Sequence, residues 1–476
     1  MSHYLAFDLG AESGRAILGT LDGGLLKIEE LHRFANTPVR VFDALYWDTL
    51  RLWHEIQRGL AIAGRGALGA RHLQLDGIGI DTWGVDFALL GADGALADNP
   101  RHYRDARTNG VMEKVFNVVP RAEVFAQTGI QFMQLNSLYQ FYALKLAGSP
   151  ALEAARTLLF MPDLLNYWLT GVARAELTIA STSQFYDPRQ KTWARDLLER
   201  LALPTHILPE IVAPGMLLGP LLDSVAEAAG LGAVPVYATG CHDTASAVAA
   251  VTAEGANWCY ISLGRWSLMG AELDEPVIDE RVLAENLTNE IGAAGKVRFL
   301  KNIAGLWLLQ ECRRAWALQG DKYSYEELVR LAGEAGPARG LIDVDAFLKP
   351  GGMPAKISEH CRARGVAAPE TPGQFTRTIL ESLAERYRQV LGKLEALAGR
   401  RFEAIHIVGG GSRNALLNQL VADATGRTVI AGPSEATAIG NVLIQAIGAG
   451  ELGGLEEARG VVRRSFGVEV FRRAGR

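Results

Sequence analysis

Two apolar runs open the chain, YLAFDLG (Tyr4–Gly10) and RAILGTL (Arg15–Leu21), on either side of a turn holding Gly10, Ala11, Ser13 and Gly14. This pattern predicts a hairpin of two strands, and LLKIEELHRF, after Asp22-Gly23-Gly24, adds a third. Over Tyr46–Ala63 the apolar spacing becomes about 3.6 residues, which predicts a helix with Trp47, Leu50, Trp53, Ile56 and Leu60 on one side. LDGIGIDTWGVDFALLG then predicts a strand, a turn at Thr82-Trp83-Gly84 and another strand. Helices are expected over Val111–Val119 and Leu138–Ala147, and a strand-to-helix segment over Arg156–Leu169 around Met161-Pro162-Asp163.

The pattern then starts again. LPTHILPEIVAPGMLLGPL (Leu203–Leu221) is rich in proline and turns, and a domain boundary is expected just after it, giving domains 1–235 and 236–476. The second half begins with VPVYATGCHDTASAVAAV, in which a small-residue helix is expected over Ala245–Ala253. NWCYISLGRWSLMGAEL (Asn257–Leu273) repeats the opening: apolar run, glycine turn, apolar run. Gln374–Leu397 has helical spacing through Ile379, Leu383, Tyr387, Val390 and Leu394, and FEAIHIVGGGSRNALLNQLVADATG reads strand, glycine turn, helix. The echo between halves predicts a duplicated α/β domain with a cleft between the copies.

Composition narrows the function classes. At 476 residues the chain exceeds one ordinary core. A net charge of −5 gives no electrostatic footprint for nucleic acid. No run approaches the about 18 apolar residues of a membrane span, so no membrane partner is expected. The N-terminus enters a strand with no signal-like segment, which predicts a cytoplasmic protein. Cys241, Cys259, Cys312 and Cys361 show no metal-ligand or disulfide spacing and are expected to be free thiols.

The glycine turns and carboxylates carry the candidate chemistry. Gly10–Gly14, Gly264 and Gly409–Gly411 each follow an apolar run, where exposed backbone N–H groups can cradle a phosphate. None fits the P-loop pattern, and any one of them alone also suits an ordinary turn. The helix after GGGSRN would place its positive end toward a nucleotide, with Leu416, Leu417, Leu420 and Val421 on one face. Asp8, Asp81, Asp86 and Asp243 stand at or just after apolar runs, where a carboxylate is costly unless paired or used. Asp8, beside the first turn, suits hydrated Mg²⁺, which takes only one or two carboxylates. Asp243 suits either a helix N-cap or a base toward a substrate hydroxyl. Trp83 and Trp266 lie in or after turns, where a core role is commoner than stacking on a sugar.

These residues belong to a longer ordered set: FDLGAESGR, GIDTWGVDF, YRDARTNG, GIQFMQLNSLYQ, MPDLLNYWLTG, HDTASAV, NLTNE, KNIAGLWLLQ and IVGGGSRNALLNQLVADATG. In them the chain resembles the FGGY carbohydrate kinases over nearly its whole length. GIDTWGVDF and KNIAGLWLLQ point within that family to the branch acting on L-rhamnulose. The resemblance implies an α/β fold of two ribonuclease-H-like domains, of the actin and sugar-kinase kind, flanking a central cleft. It implies transfer of phosphate from ATP, with Mg²⁺, to the 1-hydroxyl of L-rhamnulose. By motif, Asp243 matches the general base, and His242 and Thr244 its substrate-contacting neighbours. Gly84 and Asn302 match sugar-lining positions, and the loops around Trp83, Gln131 and Asn136 shape the pocket. Ala11, Glu12, Ser13, Gly14 and Arg15 match the first phosphate loop, with Asp8 near the metal. Gly264, Arg265, Gln310, Gly409, Gly410, Gly411 and Asn414 match the nucleotide side.

Arg265 departs from the family, which usually has Thr there. It implies a charge clamp on phosphate, a blocked phosphate space, or a side chain turned outward. Two alternatives stand beside the resemblance: a kinase for another ketose such as L-fuculose or L-xylulose, because pocket shape depends on the loops around Gln131, Asn136 and Trp83, or, because of Arg265, a sugar-binding protein without kinase activity.

Overall fold

In the computed structural model, which describes residues 1–65, 74–347 and 349–474, the opening hairpin forms and grows into a sheet. Its strand order is Leu217–Pro220, Pro235–Tyr237, Gly77–Thr82, Ser2–Leu9, Ser13–Asp22, Leu25–Ala35. Ser2–Leu9 pairs antiparallel with Ser13–Asp22 and parallel with Gly77–Thr82, which pairs parallel with Pro235–Tyr237. Leu217–Pro220 closes that edge antiparallel. The order recurs in the second half: Trp266–Leu273 antiparallel to Trp258–Leu263, then Ala404–Val408 and Thr428–Ala431 parallel, then Glu469–Phe471 antiparallel. The duplication read from two hairpins thus extends to whole sheets.

By contacts the chain forms two units. One comprises Met1–Thr252, Glu272–Phe299 and Ala436–Ser465, the other Ala253–Ala271, Leu300–Glu435 and Phe466–Arg476. The helix Ala436–Gly448, late in sequence, therefore belongs to the first unit. It lies close to the strand Gly77–Thr82, and only glycine lets it: a Cβ at Gly79 would stand 2.7 Å from Asn441 Oδ1 and 2.9 Å from Gln445 Nε2.

The predicted helices form, with instructive shifts. The first spans Thr49–Gly64, because Asp48 caps it by accepting from the Arg51 N–H. Its buried stripe is Leu52, Ile56, Leu60 and Ala63, whereas Leu50, expected on that face, is 68% exposed. Trp47 precedes the cap and is buried independently. The helix Pro372–Ala398 buries Ile379, Leu383, Tyr387, Val390 and Leu394 as their spacing predicts. All four cysteines are free and buried. Among the described residues no helix is long and apolar enough to cross a membrane.

Candidate active site

The first unit brings its acidic residues to the carboxyl ends of parallel strands, where open α/β sheets place ligands. Asp8 and Asp81 are register partners on adjacent parallel strands. Beyond the next strand the backbone returns to the same level, with Thr82 N donating to Cys241 O and Thr82 bridging to His242. Asp243 follows as the first residue of the helix Asp243–Ala249. The N-cap position is His242, so the N-cap reading of Asp243 is set aside. The helix is also shorter than expected, ending at Ala249.

These carboxyls differ in their surroundings. Asp8 is buried and paired with the Arg15 guanidinium, its cross-strand register partner. Asp81 is fully buried; Asn441 Nδ2 donates to its Oδ2 at 2.6 Å, and its Oδ1 is buried with no hydrogen-bond partner. Burial first, then the Asp8 charge, pushes its carboxyl well above the usual range. Asp243 accepts from Thr244 Oγ1 at 3.0 Å. Enclosure by the fold first, then Asp8, pushes Asp243 up to about 7, while 31% of its side-chain surface stays open to solvent. Asp86 is different. It is wholly buried, accepting from Trp47 Nε1, Trp83 Nε1, Gln140 Nε2 and Tyr103 N, and serves as a structural hub below the turn.

The turn above that hub carries Gly84. A Cβ there would stand 3.4 Å from His242 Nε2 and 3.5 Å from Thr182 Oγ1, so the missing side chain keeps this wall of the base open. Val85 is β-branched yet has φ of 70°, a strained conformation. Ser137 Oγ and Gln140 Nε2 both donate to its carbonyl and hold it. The same segment contains Gln131 and Asn136, both buried, with Asn136 Nδ2 donating to Gln131 O. Trp83 is buried against Trp47, ring centroids 3.9 Å apart, as the core reading expects.

The first turn is a tight hairpin in which Gly10 N donates to Ser13 O. Ala11, Glu12, Ser13 and Arg15 are half-buried. Gly14 is required for packing, since a Cβ there would meet the Phe34 ring at 2.3 Å.

The second unit gathers its own predicted residues. Gly264 N donates to Trp266 O, while Gly264 O and Arg265 O accept from Leu306 N and Trp307 N, which ties the hairpin to the start of the helix Trp307–Leu318. Arg265 lies with its guanidinium carbon 4.2 Å from the Trp307 ring centroid. Gln310 is on the first turns of that helix, and Asn302 lies half-buried on the strand Val297–Ala304. Gly409 and Gly411 pack on the same hairpin; a Cβ on Gly411 would meet Leu263 Cγ at 2.3 Å, whereas Gly410 faces open space. A short turn, Gly410–Arg413, separates these glycines from the helix Ala415–Thr425. Asn414 caps the helix by accepting from Leu417 N. Its buried face is Leu417, Asn418, Val421 and Ala422, with Leu416 and Leu420 only partly covered.

Sequence reasoning missed several residues that hold the base. Glu176 accepts from Cys241 N, and Thr178 Oγ1 from His242 N. Arg298 and Glu290 stand against His242. Asn441 and Gln445, one turn apart in an otherwise apolar helix, were the legible signal, because buried polar residues need partners.

Comparison with known proteins now decides the family. A family model described as the N-terminal domain of FGGY carbohydrate kinases matches residues 3–250, and one for the C-terminal domain matches residues 259–449. The chain belongs to the FGGY family of carbohydrate kinases. It is 48% identical over 472 residues to a protein named rhamnulokinase from Bacteroides thetaiotaomicron, covering 98% of this chain and 95% of that protein. Over 478 residues it is 38% identical to a rhamnulokinase from Halalkalibacterium halodurans, covering both completely (100%). The FGGY fold is also seen in a gluconate kinase from Lactobacillus acidophilus, with a TM-score of 0.80 at 14% identity over 99% of this chain and 94% of that one. A glycerol kinase from Plasmodium falciparum with ADP gives 0.79 at 14% identity, covering 99% and 94%.

Proposed function

We propose that this FGGY kinase transfers the terminal phosphate of ATP to the 1-hydroxyl of L-rhamnulose. The observation that carries this reading is its 48% identity, over 98% of its length, to a protein named rhamnulokinase. That similarity favours L-rhamnulose over other ketoses and an active kinase over a sugar-binding protein. Asp243 takes the hydroxyl proton, and His242, Thr244 and Gly84 contact the sugar. Asn302 lines the sugar, and Gln131, Asn136 and Trp83 shape its surroundings through the Val85 turn. Ala11 to Arg15 form the first phosphate loop; Gly264, Arg265, Gln310 and Gly409 to Gly411 serve the nucleotide. Asn414 acts indirectly, by capping the following helix.

The donor set fits hydrated Mg²⁺. Asp8 and Asp81 are neighbours, and Asp81 has an oxygen without a partner. Mg²⁺ needs only one or two carboxylates and keeps waters and phosphate oxygens as its other ligands. Asp8 would hold it, and the ion supplies neutralisation of phosphate charge. The chain's own residues deprotonate the hydroxyl, orient the sugar and cradle the phosphates. Use of ATP supports a cytoplasmic location.

The deciding assay is ADP release from MgATP with L-rhamnulose, set against L-fuculose and L-xylulose. The expected result is the highest kcat/KM with L-rhamnulose; no turnover of it would overturn the proposal. Arg265, steadied by Trp307, acts as a charge clamp on phosphate. Arg265→Thr should therefore raise the KM for ATP roughly tenfold to a hundredfold, about one charge-assisted hydrogen bond, and leave the sugar KM unchanged. Lower ATP KM in the variant would mean that Arg265 obstructs the site.

The pH profile follows from Asp243. The base works ionised, and the fold raises its pKa from 3.8 to about 7. The kcat/KM for sugar should fall as pH drops through about 7 and level off above it. A profile flat down to about pH 5 would mean that the base keeps its ordinary pKa and that the fold does not raise it, since such a carboxylate is still ionised there.

A further inference from the structure

The surroundings of His242 determine which ring nitrogen carries its proton. Arg298 is wholly buried, and its Nη2 lies 2.9 Å from His242 Nδ1. A guanidinium can only donate, so Nδ1 accepts. Burial first, then the Arg298 charge, holds the ring's pKa well below its usual value, so the imidazole is neutral. A neutral ring whose Nδ1 accepts has its one proton on Nε2.

Arg298 is itself held on the other side. Its Nε and Nη2 donate to the Ile291 carbonyl, each at 3.3 Å, and Nη2 lies 3.1 Å from Glu290 Oε2. Glu290 Oε2 is 3.5 Å from His242 Nδ1, beyond a good hydrogen bond, so Arg298 is the group that acts on that nitrogen. The His242 N–H is fixed by Thr178 Oγ1 at 3.1 Å. Nε2 faces Asp243 Oδ1 at 3.5 Å and the position where Gly84 lacks a Cβ, 3.4 Å away. The distance to Asp243 leaves the Nε2–H available to a third atom on the open side of Gly84.

We propose that Arg298, anchored by Glu290 and the Ile291 carbonyl, is a positioning residue that locks His242 as the Nε2–H tautomer, so that His242 presents a fixed donor to an oxygen of the bound sugar beside Asp243. The sugar's identity rests on the functional reading above; the tautomer lock does not. The arrangement gives the site one acceptor, Asp243, and one donor, His242, side by side. A sugar oxygen placed on the donor leaves the neighbouring hydroxyl to the base, which is positional selection between adjacent oxygens. Were the ring free to change tautomer, the donor would become an acceptor and that selection would be lost.

The test begins with the free protein carrying ¹⁵N-labelled histidine, its His242 signals identified by their loss in His242→Asn. The expected spectrum has an unprotonated Nδ1 and a protonated Nε2, unchanged through the range where a free histidine titrates. Arg298→Met keeps the bulk and removes the donor. It should give mixed tautomers and a sugar KM raised about tenfold, the loss of one well-placed hydrogen bond, with the ATP KM unchanged. Arg298→Lys keeps a cationic donor and should restore the Nε2–H spectrum and most of the sugar affinity. A protonated Nδ1 in the wild type would overturn the proposal, and this holds even if Arg298→Met does not fold. Identical spectra and sugar KM in the Met and Lys variants would also overturn it, leaving Arg298 a packing residue. The expected spectra without turnover of L-rhamnulose would support the lock and refute only the sugar assignment.

Discussion

Asp243→Asn should lose about 10²- to 10⁴-fold in kcat, the range of a positioned general base, while the KM for sugar changes little. The chemistry singles out this carboxylate. It is the first residue of its helix, it is partly open, and Thr244 is its hydrogen-bonding neighbour. Asn is isosteric and can still accept from Thr244 Oγ1, so the fold and the sugar contacts should survive. What disappears is the ability to take a proton as the phosphoryl group is transferred. Steady-state kinetics with L-rhamnulose and MgATP, alongside direct sugar binding by calorimetry, read both parts. Retained kcat would place the base elsewhere, yet the other acids are poorly suited. Asp81 is fully buried and bonded to Asn441, and Glu176 spends its oxygens on Thr178, Ile179 and Cys241.

The four aspartates show what was legible in the sequence. All share one local pattern, a carboxylate at or just beyond an apolar run, and the pattern correctly implied a special environment for each. Which environment depends on strands and helices distant in sequence. Asp81 meets Asn441 across 360 positions, and Asp86 meets Trp47 and Gln140 from elements on either side of it. Local patterning contains the period of an element and its punctuation, so the two hairpins and the long helix Pro372–Ala398 were readable, whereas the repeated sheet order depends on pairing between distant strands and appears only in the fold. Capping competes with hydrophobic period at helix ends, which is why Leu50 lies outside the buried stripe and why Asn414 is spent on Leu417 N. Arg298 was invisible for a related reason. A charge between Val297 and Phe299 looks like the polar side of a strand, and only the fold places His242 and Glu290 around it.

Asp86 should prove the most costly of these carboxylates to remove for stability. It is ringed by four donors: Trp47 Nε1 at 2.6 Å, Gln140 Nε2 at 2.8 Å, Trp83 Nε1 at 3.0 Å and Tyr103 N at 3.2 Å. Asp86→Ala strands them in a buried site. With two or more unable to find partners, at about 1–3 kcal/mol each, the loss should be about 2–5 kcal/mol. Asp86→Asn keeps an oxygen for the three donors that share Oδ2 and disturbs only the side facing Gln140, whose Oε1 is held by Arg107 Nη2 at 2.7 Å. Its cost should be about 1–2 kcal/mol, one misplaced hydrogen bond. The sign of the pH dependence separates charge from hydrogen bonding. Burial outweighs the donors and raises the folded pKa from 3.8 to about 6. The acid's contribution to stability is therefore fully present below about pH 4 and lost as pH rises through about 6. The Asn variant lacks that titration, so its deficit relative to wild type should shrink as pH rises across this window. Denaturant midpoints for the three proteins at several pH values measure it. A deficit that grows with pH would mean that the donors outweigh burial and hold Asp86 ionised. Because Trp83 and Gly84 are adjacent, the Ala variant should also weaken sugar binding, through the wall of the site that Gly84 keeps open rather than through the base.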